Sequence, residues 1–152
     1  AKLKQMSILP SESCSDSDFL RRAYLDVCGL LPTRDAVEKF LADKDPSKRA
    51  KLIDELLKRP EFADFWALKW ADVFRSSRKT IQLKGAAAFQ AWLRENVENN
   101  TPFDAMVREM LTANGSTHAN PPANHYRIAQ HPQSPAETTA PLFFGVRMPS
   151  AK

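Results

Sequence analysis

A chain of 152 residues with 22 basic and 18 acidic side chains carries a formal charge of only +4, which argues against binding a polyanion through net charge alone. Its 43% apolar and 26% charged residues are usual for a soluble globular protein, and no apolar run approaches the ~20 residues that a membrane-crossing helix needs. Nucleic-acid binding wants a recognised module or aromatics among the basic residues, and neither is present, so the basic run Arg75, Arg78, Lys79 and Lys84 reads as a solvated linker, with a weak patch for a polyanion or anionic partner as the functional alternative.

Apolar residues recur at helical spacing and strand-type alternation is scarce, which predicts an all-α, single domain of about seven helices over residues 1–152. Behind an N-terminal arm (1–14), Ser15 or Asp16 caps a first helix carrying Phe19, Leu20, Ala23, Tyr24, Val27 and Cys28, which stops at Gly29. Pro32 breaks the chain, and Thr33 caps a second helix that buries Val37, Phe40 and Leu41. Asp45-Pro46 opens a third, with proline at the first helical position and Leu52, Ile53, Leu56 and Leu57 as its stripe. Pro60 opens a fourth through Phe62, Phe65, Trp66, Trp70, Val73 and Phe74. A fifth covers about 85–99 with Phe89, Trp92, Leu93 and Val97. A sixth starts at Thr101-Pro102, carries Phe103, Met106, Val107, Met110 and Leu111, and closes at Asn114-Gly115. The last begins at Ser134-Pro135. Aromatics at this spacing belong to the core by default.

Cys14 and Cys28 bracket the first helix, which would hold them roughly 20 Å apart, whereas a disulfide needs Cα atoms within about 7 Å. They are not expected to pair, and Cys28 on the apolar face packs as a small hydrophobe. Residues 114–133 depart from the helical pattern: they are rich in Asn, Pro, Ala and His and have no apolar periodicity. Loops of that length are as a rule functional or disordered. All three histidines, His118, His125 and His131, lie in it, and their spacings match no helical or finger ligand set, so no metal is assigned. The plain reading is solvated imidazoles; the sharper one is a neutral imidazole, His125 above all, turned toward a metal or haem.

The stretch Asp18-Phe19-Leu20-Arg21-Arg22-Ala23-Tyr24-Leu25-Asp26-Val27-Cys28-Gly29-Leu30-Leu31-Pro32-Thr33 resembles the opening signature of the planctomycete-specific cytochrome c domain family, a domain of unknown function. Further matches follow in order: Phe40 to Asp43, Lys51 to Asp54, Pro60 to Ala63, Trp66 through Trp70 to Asp72, and Phe103-Asp104 with Val107, Arg108, Glu109 and Leu111. An Asn-Pro loop at Asn120-Pro121-Pro122-Ala123-Asn124 is followed by Tyr126 and Arg127, and Leu142 to Met148 matches a helix that precedes haem. The resemblance spans nearly the whole chain. It implies structural roles for Arg21, Arg22, Asp26, Gly29, Pro32, Trp66, Trp70, Asp72, Asn120, Pro121 and Tyr126. Arg22 and Asp26 stand i,i+4 on the polar side of their helix, a pairing that contributes about 0.3–0.5 kcal/mol at a surface and that, if partly buried, pins the Gly29 to Pro32 corner or a helix end.

In that family the tail continues Cys-Ala-x-Cys-His. Residues 145–152 would then be a lead-in cut just before the motif, with Ser150 at the place of the first haem cysteine. Thioether attachment needs both thiols and the histidine, so the resemblance implies no haem on these residues and haem c in a longer parent protein, where Arg147 could pair with a propionate. It further implies an extracytoplasmic, multidomain, cytochrome c-like protein engaged in electron transfer or otherwise haem-associated. Its partners would be other domains of the same chain and a redox partner protein. A non-catalytic interaction or scaffold module is the alternative. The departures are Ser150, Pro141 inside the last helix, and His125 where an aromatic is expected. An enzyme would need a nucleophile, base and orienter or a metal-ligand cluster; neither is visible, and no catalytic residue is assigned.

Overall fold

The computed structural model describes residues 2–9, 11–76, 78–128 and Gly145. The expected helix from Ser134, with Pro141, His131, Arg147 and Ser150, lies outside the described residues. Regular structure within them is helical, as expected: α1 (Lys2–Gln5), α2 (Asp16–Cys28), α3 (Arg34–Ala42), α4 (Lys48–Leu57), α5 (Pro60–Val73), α6 (Arg78–Glu98), α7 (Phe103–Thr112), a 3-10 turn (Pro121–Ala123) and α8 (Asn124–Ile128). Within this all-α architecture the chain gathers into two compact units, residues 1–62 and 63–152.

The caps of the first two long helices are where the sequence puts them. Ser15 Oγ accepts from the Asp18 amide at 3.1 Å, and Gly29 closes α2 in the left-handed conformation at φ 69°. Thr33 Oγ1 accepts from the Ala36 amide at 3.3 Å to begin α3. The third expectation shifts: α4 starts at Lys48, not at Pro46. Asp45 Oδ1 accepts from the Ser47 amide at 2.8 Å and from its hydroxyl at 2.6 Å, a local side-chain turn that outcompetes helical bonding at Pro46.

In the first unit Leu20, Ala23, Tyr24, Cys28, Phe40, Leu52 and Leu56 form the core, with Phe19 stacked on Phe40 at 6.3 Å between centroids. Leu41, Ile53 and Leu57, expected in the stripes, are largely exposed. Asp16 joins α2 to α4 by accepting from Lys48 at 2.6 Å and Arg49 at 2.7 Å. Lys48 Nζ also donates to Asp43 O at 2.8 Å and Phe40 O at 3.2 Å, satisfying carbonyls at the end of α3. Both cysteines are free; Cys28 is buried with its thiol 3.7 Å from Leu56 O, and burial pushes that thiol's pKa up, which suits a packing role.

The second unit is built around Phe74, Ile81, Phe89, Trp92, Leu93, Met106 and Met110. Contrary to the aromatic reading of its face, α5 buries Ala63, Ala67 and Ala71, which recur every fourth residue, while Trp66 is 37% exposed. Small side chains at i, i+4 and i+8 form one buried stripe along the helix, with the ring of Trp66 at its margin.

α6 begins seven residues before the expected start at about 85, because Arg78 to Lys84 holds few apolar residues and so shows no stripe. The added turn is not continuous with the rest: Gln82 has φ 59° and ψ 169°, a region that is essentially glycine-only and costs about 1–3 kcal/mol for other residues. Gln82 is exposed, so its side chain gives nothing obvious in return. Gln82→Gly is expected to raise stability by about 1 kcal/mol, the relief of strain less the added freedom of the unfolded chain, read as a higher denaturant midpoint at unchanged m-value. The other end of α6 is ordinary. Asn100, with φ 48°, follows it in the left-handed conformation, and the Thr101 amide donates back to Asn96 O at 2.9 Å.

Candidate functional site

The segment expected to be a long loop holds a 3-10 turn and a short helix within its described residues. From Asn114 onward its polar side chains close it on itself. Asn120 Nδ2 donates to Asn114 O at 2.9 Å, and the Asn120 amide donates to Ser116 O at 2.7 Å. Pro121 and Pro122, whose rings hold φ near −65°, begin the 3-10 turn that runs into α8. Asn124 Nδ2 then reaches back to Thr117 O and Pro121 O, each at 2.8 Å. The Tyr126 hydroxyl donates to Leu111 O at the end of α7. The result is a clasp, residues 121–128, packed against α6 and α7.

Two side chains are driven into the second unit by this clasp. Asn124 is fully buried, and its Oδ1 lies so close to α6 that a Cβ on Gly85 would stand 2.7 Å from it. His125 is 2% exposed, contradicting the expectation of a solvated imidazole. Its ring meets Phe74 and Tyr126 edge-on, at centroid distances of 6.4 and 5.8 Å. Among the described residues, neither Nδ1 nor Nε2 has a hydrogen-bond partner, and Asn124 Oδ1 has none either. Burial lowers the imidazole pKa from its ordinary 6.5, so His125 is neutral at pH 7.

His118, by contrast, is exposed. Among the described residues no group of three or more His, Cys, Asp or Glu side chains is placed to hold a metal. His125 does not fit an axial haem ligand in this arrangement. Ligation needs one ring nitrogen open to the porphyrin face, and both are closed in among packed side chains. The other two residues assigned toward haem, Arg147 and Ser150, lie outside the described residues.

The remaining signature residues are dispersed. Arg21, Arg22 and Asp26 are exposed on α2, and no ion pair joins Arg22 to Asp26. Gly29 supplies the left-handed cap, and Pro32 is half-buried beside it. Trp70 stacks on Phe74 at 5.8 Å and on Phe103 at 5.1 Å. Asp72, exposed, borders a cavity of about 320 Å³ between α5 and α6, lined also by Leu68, Ser76, Leu83, Ala87 and Gln90. Pro121 and Tyr126 lie in the clasp, and Asn120 immediately precedes it. Sequence reasoning missed Asn124 and Gly85 as its buried core, because Gly85 stood at the expected start of a helix, where a glycine marks nothing about packing.

Compared with known families, residues 1–148 match the model of PSCyt2, described as a protein of unknown function (DUF1549). The chain belongs to the PSCyt2 family. The match takes in both compact units and the whole clasp, so the PSCyt2 domain includes α2 with its Gly29 cap as well as the Asn-Pro segment. No curated protein and no solved structure matches the chain. No helix among the described residues of this PSCyt2 domain is long and apolar enough to cross a membrane.

Proposed function

We propose that this chain is a helical domain of an extracytoplasmic, multidomain cytochrome c-like protein, working in electron transfer or beside haem. The family match over residues 1–148 supports the reading, through a family whose name marks a cytochrome association. In it the described residues serve as a scaffold and do no redox chemistry of their own. Haem c would be carried by a Cys-x-x-Cys-His motif of the parent protein, with Arg147 available to a propionate and position 150 to a thioether. Its partners would be neighbouring domains of that chain and a redox protein. The clasp contributes by holding the Asn-Pro segment, which leads in sequence toward residues 145–152, firmly against α6 and α7.

The test is the visible absorption of the parent protein, with cysteine at position 150 and its native downstream residues, exported through c-type maturation machinery. A Soret band that survives denaturation is the expected result. A folded, colourless product would overturn it and leave a non-catalytic interaction module as the better account.

A further inference from the structure

His125 is buried where a neutral imidazole is tolerated and an imidazolium is not. A buried cation needs a counter-ion or several acceptors, and among the described residues the elements packed around it supply neither. On α8 itself, Arg127 is exposed and of the wrong sign, and the Tyr126 hydroxyl is committed to Leu111 O. α6 turns Ile81, Gly85 and Phe89 inward; Lys79, Lys84 and Glu95 are exposed, and Arg94 is engaged with Asp64 at 2.6 Å and Glu98 at 2.7 Å. α7 buries Met106 and Met110, with Asp104 and Arg108 exposed and Glu109 accepting from Trp92 Nε1 at 3.2 Å. Past the end of α5, Arg75 is exposed, as is His118 in the segment before the 3-10 turn.

We propose that residues 121–128 form an acid-released clasp, in which protonation of His125 detaches the 3-10 turn and α8 from α6 and α7. Opening would bring the ring nitrogens to water and expose the face around Gly85 and Phe74.

Burial is the cause of the lowered His125 pKa, with no charged neighbour contributing. A released imidazole takes up its proton near pH 6.5, while the buried one holds out to lower pH. The open state therefore binds more protons across that interval, and the closed-to-open ratio falls as pH drops below about 6.5, by up to about tenfold per unit. Above about 6.5 the clasp has its full stability. Carboxylates act lower: Arg59 holds Glu61 down to about 2, so that pair weakens only as pH falls below the ordinary carboxylate value of 4.5. The two windows do not overlap.

The experiment is NMR on the 152-residue chain from pH 8 to 5, following the His125 ring and the exchange of amides 124–128 corrected for intrinsic pH dependence. The expected result is a His125 titration below 6.5, with those amides opening by up to about tenfold more per unit below it, while α2–α4 hold steady to pH 5. A His125 ring titrating at or above 6.5, or clasp amides unchanged through this window, would overturn the proposal. His125→Phe keeps a ring in place and removes the proton; if it folds, its clasp should show no pH response above 5, and a retained response would also overturn the proposal. If it does not fold, the wild-type measurements decide.

Discussion

Asn124→Ala is expected to cost about 2–3 kcal/mol, and Asn124→Asp more than that at neutral pH. Asn124 is fully buried, and its amide nitrogen ties two carbonyls from different turns, Thr117 O and Pro121 O. Alanine removes both bonds and strands Thr117 O, for about 1–3 kcal/mol, while Pro121 O keeps the Asn124 backbone amide as a donor. Removing the unpartnered Oδ1 offsets part of this loss. Aspartate has nearly the same shape but replaces the donor with an anion facing two carbonyl oxygens. Its penalty should exceed that of alanine and shrink as pH falls and the carboxyl protonates. Denaturant unfolding of the three proteins at pH 7.5 and 5 checks both orders. An aspartate variant as stable as wild type at pH 7.5 would mean that Asn124 holds nothing.

Gly85→Ala is expected to destabilise by about 2 kcal/mol, against the usual preference for alanine within a helix. Alanine gains about 1 kcal/mol in helix propensity, but here its Cβ would meet Asn124 Oδ1 at 2.7 Å. That oxygen cannot swing away cheaply, because the amide nitrogen beside it is fixed by two bonds. The cost should therefore depend on Asn124. In an Asn124→Ala background, Gly85→Ala should become neutral or stabilise by up to about 1 kcal/mol, a coupling of about 2–3 kcal/mol in a double-mutant cycle. Additive effects would show that the close approach is relieved elsewhere.

The helices of the first unit were legible because their signals are local. Ser15, Gly29 and Thr33 act on amides and carbonyls within a few residues, so their identity predicts their geometry. The start of α4 was misplaced by a rule equally local, since Asp45 competes with Pro46 for the same turn. The candidate site was legible only in part. Asn120, Pro121 and Tyr126 stood out as a signature, but the burial of His125 did not, because no apolar periodicity surrounds it. Short, proline-started turns bury residues by anchoring at a distance: Tyr126 on Leu111 and Asn124 on Thr117.

By itself the sequence determined the all-α class, the two capped helices at Ser15 and Thr33, the unpaired cysteines and the family resemblance. Helical period and capping chemistry need only neighbours in the chain. Tertiary structure alone decided that α5 packs on alanines, that α6 kinks at Gln82, and that a polar histidine ends inside an apolar unit. Each depends on which surfaces meet across long sequence separations, where close packing and desolvation outweigh any residue's local preference.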